Sequence, residues 1–401
     1  MEICDRNTER RGRSRFMSWL PVIGLTLSTF IFNTSEFIPI GLLTSIADDF
    51  SITESKAGML ITVYAWAVAV TSLPLMLAFA RTENKKLILS IVSLFIFSHI
   101  ASGLSRSYSM LMASRLGVAC AHAIFWSIVT PVAVKVAPEG HRSTALSLII
   151  TGSSIAMIVG LPLGRAIGLI VGWRITFLMI AVLAAVILGI LAAVLPKVPS
   201  DNDISLKTLP GLLRTPALTH IYILTAVTIT GHFTAYSYIE PYLSQTAGFP
   251  DSWITLVLSA FGVVGILVSI FFSKYYDRHQ YAFLRTAILG IFIFTLLFGI
   301  AKGNRFLMIV VCLLWGVAIN CFNLSFQSCI LQYAPFGTSI AMSVYSGIYN
   351  VGIGAGALVG GNVCSRIGIG DIGYVSAAIG LAAALFFLLK VSPVLKRSAR
   401  R

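Results

Sequence analysis

Charge is what this sequence has least of. Only 11% of its 401 residues are Asp, Glu, Lys or Arg, where a soluble domain carries roughly a quarter. A water-exposed surface of that extent needs charge, so a soluble globular protein is excluded. Acidic residues are scarcest: 15, against 29 Lys and Arg, for a net charge of +14. In a soluble protein that excess would point to nucleic acid. Here the basic residues sit in short connections between apolar runs, and no nucleic-acid partner is expected. Cysteine is equally uninformative. Cys120, Cys312, Cys321 and Cys329 fall inside apolar runs, Cys364 near the end of one, and Cys4 in the N-terminal tail. No spacing resembles a metal site, and a disulfide framework is not expected. There is no Ser-His-Asp constellation, and no Walker or Gly-x-Gly-x-x-Gly motif in a strand-to-helix setting. An enzyme, a resident metal and a cofactor are therefore not expected. A cleavable signal peptide is missing too. Arg10, Arg11, Arg13 and Arg15 precede an apolar run, but the run passes Leu43 without a small-residue cleavage site. It reads as a retained first helix.

What the chain does have is long apolar runs. Leu87–Leu104 and Ile175–Leu195 hold almost no ionisable residue, and about 20 apolar residues cross a bilayer as a helix. Weak strand alternation argues against an outer-membrane barrel. The pattern predicts an all-α membrane protein with twelve spans, at about 18–43, 56–79, 87–104, 109–134, 143–168, 173–195, 218–243, 253–273, 284–301, 305–331, 338–363 and 372–391. Twenty-one Lys and Arg fall in the tails and alternate connections on one side, seven on the other, and Arg115 lies within a span. The excess of positive charge places both termini in the cytoplasm.

The longest connection, Pro196–Ala217, is polar and holds four prolines. It separates an N-terminal six-helix bundle (1–195) from a C-terminal one (218–401), with 196–217 as a central cytoplasmic loop. The halves read as a duplication. Gly117-Val118-Ala119 in span 4 matches Gly316-Val317-Ala318 in span 10. Ala145, Ser147, Gly160 and Gly164 in span 5 match Ala341, Ser343, Gly356 and Gly360 in span 11 at one offset. Glu36 before Pro39 in span 1 is paired with Glu240 before Pro241 in span 7. Such repeats mark transporters. The small-residue ribbons Gly152–Gly168 and Gly352–Gly360 are expected to form the moving seam between the halves.

Few ionisable residues lie inside spans: Glu36, His99, Arg115, His122, His232 and Glu240, with Arg165 near an outer end. A mid-membrane charge costs at least about 2.5–3.5 kcal/mol, so such groups pair or face a cavity. Asn33, Thr34 and Glu36 belong to span 1, with Asn33 and Glu36 on one face. Arg115 in span 4 lies at a similar depth to Glu36, so a pair is geometrically possible. Burial against a nearby guanidinium then sets when the carboxyl holds a proton; a static ion pair between helices is the alternative. Arg115, Ala119, His122 and Trp126 form one stripe. His122 suits a proton carrier, a donor to a hydroxylated solute or a helix-packing bond. His99 is expected near an outer end, snorkelling. Span 7 carries Thr228, His232, Tyr236 and Glu240 at four-residue steps, an aromatic and hydroxyl stripe of the kind sugar sites use. Tyr238 and Tyr242 are read against an interfacial aromatic belt. Asn320, Asn323 and Gln327 in span 10, and Ser343, Ser346 and Asn350 in span 11, are expected to face inward because amides are costly in lipid.

The strings FIFNTSEFIPIGLL (Phe30–Leu43), ACAHAIFWSI (Ala119–Ile128), GLPLGR (Gly160–Arg165), YSYIEP (Tyr236–Pro241) and SGIYNVGIGAGALVG (Ser346–Gly360) resemble the major facilitator superfamily, in its drug:proton antiporter branch. They are most similar to sugar efflux transporters of SotB type. The resemblance implies two pseudo-symmetric six-helix bundles, alternating access and a central site lined by spans 1, 4, 7 and 10. Its first-helix antiporter motif falls on Asn33, Thr34, Glu36, Pro39 and Gly41, and its fourth-helix motif on Arg115, with the later glycine displaced to Gly117. The fifth-helix motif resembles Gly160, Pro162 and Gly164 with altered spacing. Between spans 2 and 3 the motif is degenerate, Arg81 to Lys86. Its second copy, Lys274 to Arg278 with Asp277, is better kept and implies a gating role for Asp277 and Arg278.

These features together lead to proton-driven sugar or glycoside efflux by a monomer in a bacterial inner membrane. Glu36, Arg115 and His122 are expected to couple protons. Asn33, Thr34, His122, Trp126, His232, Tyr236, Glu240, Asn320, Asn323 and Asn350 are expected to bind solute. Gly160, Pro162, Gly164, Gly356 and Gly360 are expected to shape the moving parts. The runner-up is efflux of drugs or other amphipathic solutes. A non-transporting membrane sensor is a third reading, disfavoured because no soluble domain is appended.

Overall fold

The computed structural model describes residues 2–79, 81–199, 209–334 and 338–398. Among these residues the chain is helical throughout, with short turns between helices and no strand. That follows from the apolar composition, because only a helix satisfies its own backbone groups in hydrocarbon. Span 1 lies within Glu2–Gly41, span 2 is Glu54–Ala78, span 3 Asn84–Gly103 and span 4 Tyr108–Val136. Span 5 runs as Arg142–Ile155, a π turn Ala156–Gly160 and Leu161–Val171; span 6 is Trp173–Val194. Span 7 is Pro216–Tyr236, and spans 8 and 9 form one helix, Asp251–Ile300, divided at non-helical His279. Span 10 is Arg305–Tyr333, span 11 Thr338–Arg366, and span 12 begins at Ile372.

Eleven of these segments are long and apolar enough to cross a membrane. Span 7 falls short of that hydropathy, although it is 21 residues long. Its threonines, histidines and tyrosines dilute it, and they are tolerated because the helix hardly meets lipid: every residue from Gly231 to Leu243 is buried. The π turn in span 5 has a local cause. Pro162 has no N–H to offer the carbonyl four residues back, so the ladder slips a residue before it.

Packing repeats across the halves in register. A methyl group added at Gly160 would lie 2.0 Å from Thr34 Oγ1, and one at Gly356 would lie 2.6 Å from the Thr230 carbonyl oxygen. Gly164 packs on Ile38, and Gly360 on Thr234. Each pair of equivalents is 196 residues apart. The turn glycines Gly172 (φ 90°) and Gly368 (φ 122°), which end spans 5 and 11, keep the same offset. Two expectations change here. The glycine ribbons seat span 5 on span 1 and span 11 on span 7, inside each half, and are not the seam between halves. That seam uses other close approaches: Gly262 on the backbone of Met157 and Ile158, Gly354 on Trp66, and Gly58 on Tyr238. The register also pairs Glu36 with His232, and Glu240 with Thr44, so the two Glu-Pro strings are not equivalents.

One buried apolar cluster draws only on residues 25–198. A second runs from Leu212 to Leu395 and takes in Ile40, Leu43, Ala47, Ala57, Ile61 and Ala65 of the first half. The halves therefore share core at one end, the far end from the chain termini. Among the described residues, the hydrogen bonds between halves are Thr44–Glu240, Glu54–Gln245, Trp66–Val351, Arg165–Glu240 and Arg165–Asp251. All lie between mid-depth and that far end.

Candidate functional site

Two groups of buried polar residues, one per half, lie inside the bundles. In the first, Glu36 Oε2 lies 3.5 Å from His122 Nε2, and both side chains are at most 10% exposed. The His122 ring meets Tyr64 edge-on at 5.7 Å and Trp126 at 6.0 Å. Span 4 presents His122 and Trp126 one turn apart on a single helix face, His122 against Glu36 and Trp126 against His122. His122 Nδ1, the Tyr64 hydroxyl and Thr34 Oγ1 are buried without a hydrogen-bond partner. Unpaired buried polar atoms are costly, and Thr34 carries its own in the helix contact with Gly160.

Arg115 does not pair with Glu36; no nitrogen–oxygen approach between them falls within 4.0 Å. Its guanidinium stacks over the Tyr64 ring at 4.4 Å and donates to the Ser35 carbonyl at 3.2 Å. Ser35 Oγ lies 2.7 Å from His99 Nε2, while His99 Nδ1 donates to the Phe95 carbonyl at 2.9 Å. That fixes Nε2 as acceptor of the serine proton. His99 is fully buried and does not snorkel, because this face of span 3 turns toward span 1. Sequence reasoning passed over Ser35 and Tyr64. The usable signal was a tyrosine inside span 2, an apolar helix with nothing else to match Arg115. Ser35→Ala leaves His99 Nε2 buried with no donor. About 1–3 kcal/mol of stability is the expected loss, read as a lower unfolding temperature in detergent, with Ser154→Ala, an exposed serine bonded only within its own helix, as control.

Asn33 and Glu36, expected on one face of span 1, meet different partners. Asn33 Nδ2 donates to Ser153 Oγ of span 5, whereas Glu36 faces span 4. A three-residue step leaves two side chains about 60° apart, enough to split them between packed helices. Thr34 sits in the contact with Gly160.

In the second half His232 stacks on Tyr236 at 5.0 Å and meets Trp315 edge-on at 5.2 Å; Tyr236 contacts Phe261 at 5.3 Å. Thr228 Oγ1, His232 Nδ1 and Trp315 Nε1 are buried and unpartnered. Asn323 Oδ1 accepts from the Tyr349 hydroxyl at 3.1 Å. Asn320 donates to the Gly316 carbonyl of its own helix and lies beside Gly265 of span 8. Asn350 donates to the Ser346 carbonyl, leaving its Oδ1 buried and unpaired.

Glu240 stands apart from this group. It accepts from Thr44 Oγ1 at 2.8 Å and lies 3.5 Å from Arg165 Nη2, in the far-end closure. Tyr238 and Tyr242 form no aromatic belt. Both are fully buried, donating to the carbonyls of Ala357 (3.1 Å) and Phe298 (2.8 Å); the break in span 7 at Ser237–Tyr238 turns them inward. Arg278 is exposed beside the His279 break, and the side chain of Asp277 lies outside the described residues. No group of three or more metal-ligating side chains occurs among the described residues.

Comparison with known proteins places this geometry. The family profile described as Major Facilitator Superfamily matches residues 25–341. A bacterial homologue of the human lysosomal transporter Spinster, solved inward-facing and unoccupied, superposes with a TM-score of 0.74 at 13% identity, covering 95% of this chain and 98% of that one. A POT family transporter in complex with 5-aminolevulinic acid gives 0.75 at 13% identity, covering 95% and 96%. A peptide transporter POT in complex with alafosfalin gives 0.74 at 12% identity, covering 94% of each chain. At these identities the likeness is one of fold.

Proposed function

Since the chain belongs to the major facilitator superfamily, whose fold supports a secondary transporter, we propose that it exports sugars or glycosides in exchange for protons. The observation that carries this reading is the buried Glu36–His122 pair at 3.5 Å. A carboxyl and an imidazole at contact distance, inside an apolar bundle, can hold one proton in either of two places. Glu36 and His122 serve as the proton site, and Arg115, held over Tyr64, sets the field around it. The unpartnered hydrogen-bonding atoms of His122, Tyr64 and His232, with the amides of Asn323 and Asn350, support a solute rich in hydroxyl groups. Tyr236 and Trp126 offer faces for its apolar side. Glu240 acts at the far-end closure and not on solute.

In this reading residues 1–195 and 218–401 are the two bundles, joined by the cytoplasmic loop 196–217. The excess of Lys and Arg puts both termini in the cytoplasm of a bacterial inner membrane. The far end is then the outer side, and the described conformation is closed there. The protein works as a monomer, and the export direction comes from the family resemblance. Proteoliposomes loaded with radiolabelled sugars and a pH-sensitive dye test the proposal: sugar efflux should accompany proton uptake in the opposite direction. Sugar-dependent proton movement absent from intact protein would reject the coupling.

One observation favours a second reading, export of amphipathic solutes. The His232–Tyr236–Trp315–Phe261 cluster is aromatic enough to take an apolar solute. Against lipophilic cations stands the pairing of both in-span carboxylates, Glu36 with His122 and Glu240 with Arg165. Glycosides should therefore raise the unfolding temperature where lipophilic cations do not, and the reverse order would favour the second reading.

A further inference from the structure

The far-end closure contains one contact twice, in two chemistries. Arg165 of span 5 has a side chain 1% exposed, and its guanidinium donates to Asp251 Oδ1 at 2.8 Å. It also lies 3.5 Å from Glu240 Oε1 and donates to the Gly41 carbonyl at 3.4 Å. Both carboxylates belong to the other half of the chain. Under the offset of 196, Arg165 corresponds to Gly361 and Asp251 to Ser55. Those two residues also meet across the halves: a methyl group added at Gly361 would lie 3.0 Å from Ser55 Oγ. The same junction is thus a glycine against a serine on one side of the molecule and an arginine against a carboxylate on the other. Glu240 and Thr44 are each other's equivalents and bond to one another, so they sit where the axis relating the halves passes.

We propose that Arg165, gripped by Glu240 and Asp251, is the latch that holds the far end shut, and that the Gly361–Ser55 junction is its unlatched counterpart. Opening the far end separates span 5 from span 8 and the end of span 1 from the end of span 7. The Gly361–Ser55 contact can part with little loss, since neither side carries charge. Arg165 must give up two carboxylates at once, and its Nε has no partner even when closed. The grip is therefore the chief electrostatic term favouring closure. The other charged group in the closure, Glu54, is engaged by Gln245 at 2.7 Å and does not compete for Arg165. The inference rests on the alternating-access part of the proposed function and is independent of which solute is carried.

The test is a distance measurement on the full chain in nanodiscs, without solute, on a cysteine-free background. Spin labels replace Arg106 and Lys302, which are exposed at the far end, one in each half. The parent protein should give mainly the short, closed distance. Asp251→Asn keeps the shape of an exposed side chain while removing its charge, so the fold survives. The ratio of long to short distances should rise about two- to fivefold, as expected for a charge pair with one largely exposed member. Glu240→Gln should move the ratio in the same direction, and Asp251→Glu should restore the parent distribution. Unchanged distributions in both neutral variants would overturn the latch. A wrong solute assignment would appear only in the flux assay and would leave this result standing.

Discussion

Glu36→Gln should abolish solute-driven proton movement while leaving downhill solute exchange in place. The amide has almost the size and shape of the carboxyl, so packing against His122 at 3.5 Å and against span 4 is kept. What it loses is the ability to take up and release a proton. His122 alone is not expected to substitute, because its Nε2 lies against position 36 and its Nδ1 has no hydrogen-bond partner to pass a proton to. Dye-monitored proton flux in proteoliposomes should fall to the level of empty liposomes, whereas exchange of labelled for unlabelled solute at equal pH should persist. Uphill export retained in the variant would remove Glu36 from the coupling. His99→Gln is the contrast: His99 is satisfied by Ser35 and Phe95, so its loss should lower stability and leave coupling intact.

The second large effect concerns the glycine contacts inside each half. Gly360→Val should be the most damaging, since its new methyl groups would grow from a position 2.3 Å from the Thr234 carbonyl oxygen and 2.8 Å from the Tyr238 ring. Backbone cannot swing aside as a long side chain can, so spans 7 and 11 must move apart. Overpacking of this kind costs typically about 1–3 kcal/mol and more where backbone is the obstacle. Gly356→Val meets the Thr230 carbonyl at 2.6 Å, and Gly160→Val meets Thr34 Oγ1 at 2.0 Å, so both should follow. Gly189→Val and Gly347→Val are the controls, because nothing lies within 4 Å of either position. Thermal unfolding followed by size-exclusion chromatography should separate the two sets clearly. Equal unfolding temperatures for Gly360→Val and Gly189→Val would refute the packing account.

These two predictions differ in how far the sequence alone leads to them. Glu36 stands out in the sequence because a carboxylate is rare in an apolar span, and rarity survives any arrangement of the helices. Its partner does not stand out. Arg115 and His122 lie two turns apart on one stripe, and which of them meets Glu36 depends on the tilt and rotation of span 4 against span 1. Those are set by Phe32 and Phe125, whose rings stack at 4.2 Å, and by Tyr64, which draws the guanidinium to its face. The glycine ribbons show the same limit. Small residues let any two membrane helices approach, so their spacing announces a close contact without naming the other helix.

The elements and their order could therefore be read along the chain: twelve spans, a duplicated architecture, and the short set of polar groups the membrane tolerates. The spans and the polar set are properties of hydropathy read locally, and the duplication is a match of residues at one constant offset. The pairings came from the packed helices: Glu36 with His122, Arg115 over Tyr64, Glu240 with Thr44 and Arg165, and the glycine ribbons within halves. A helix reveals its composition to its sequence but not its rotation, and rotation is fixed by how the side chains of neighbouring helices fill the space between them.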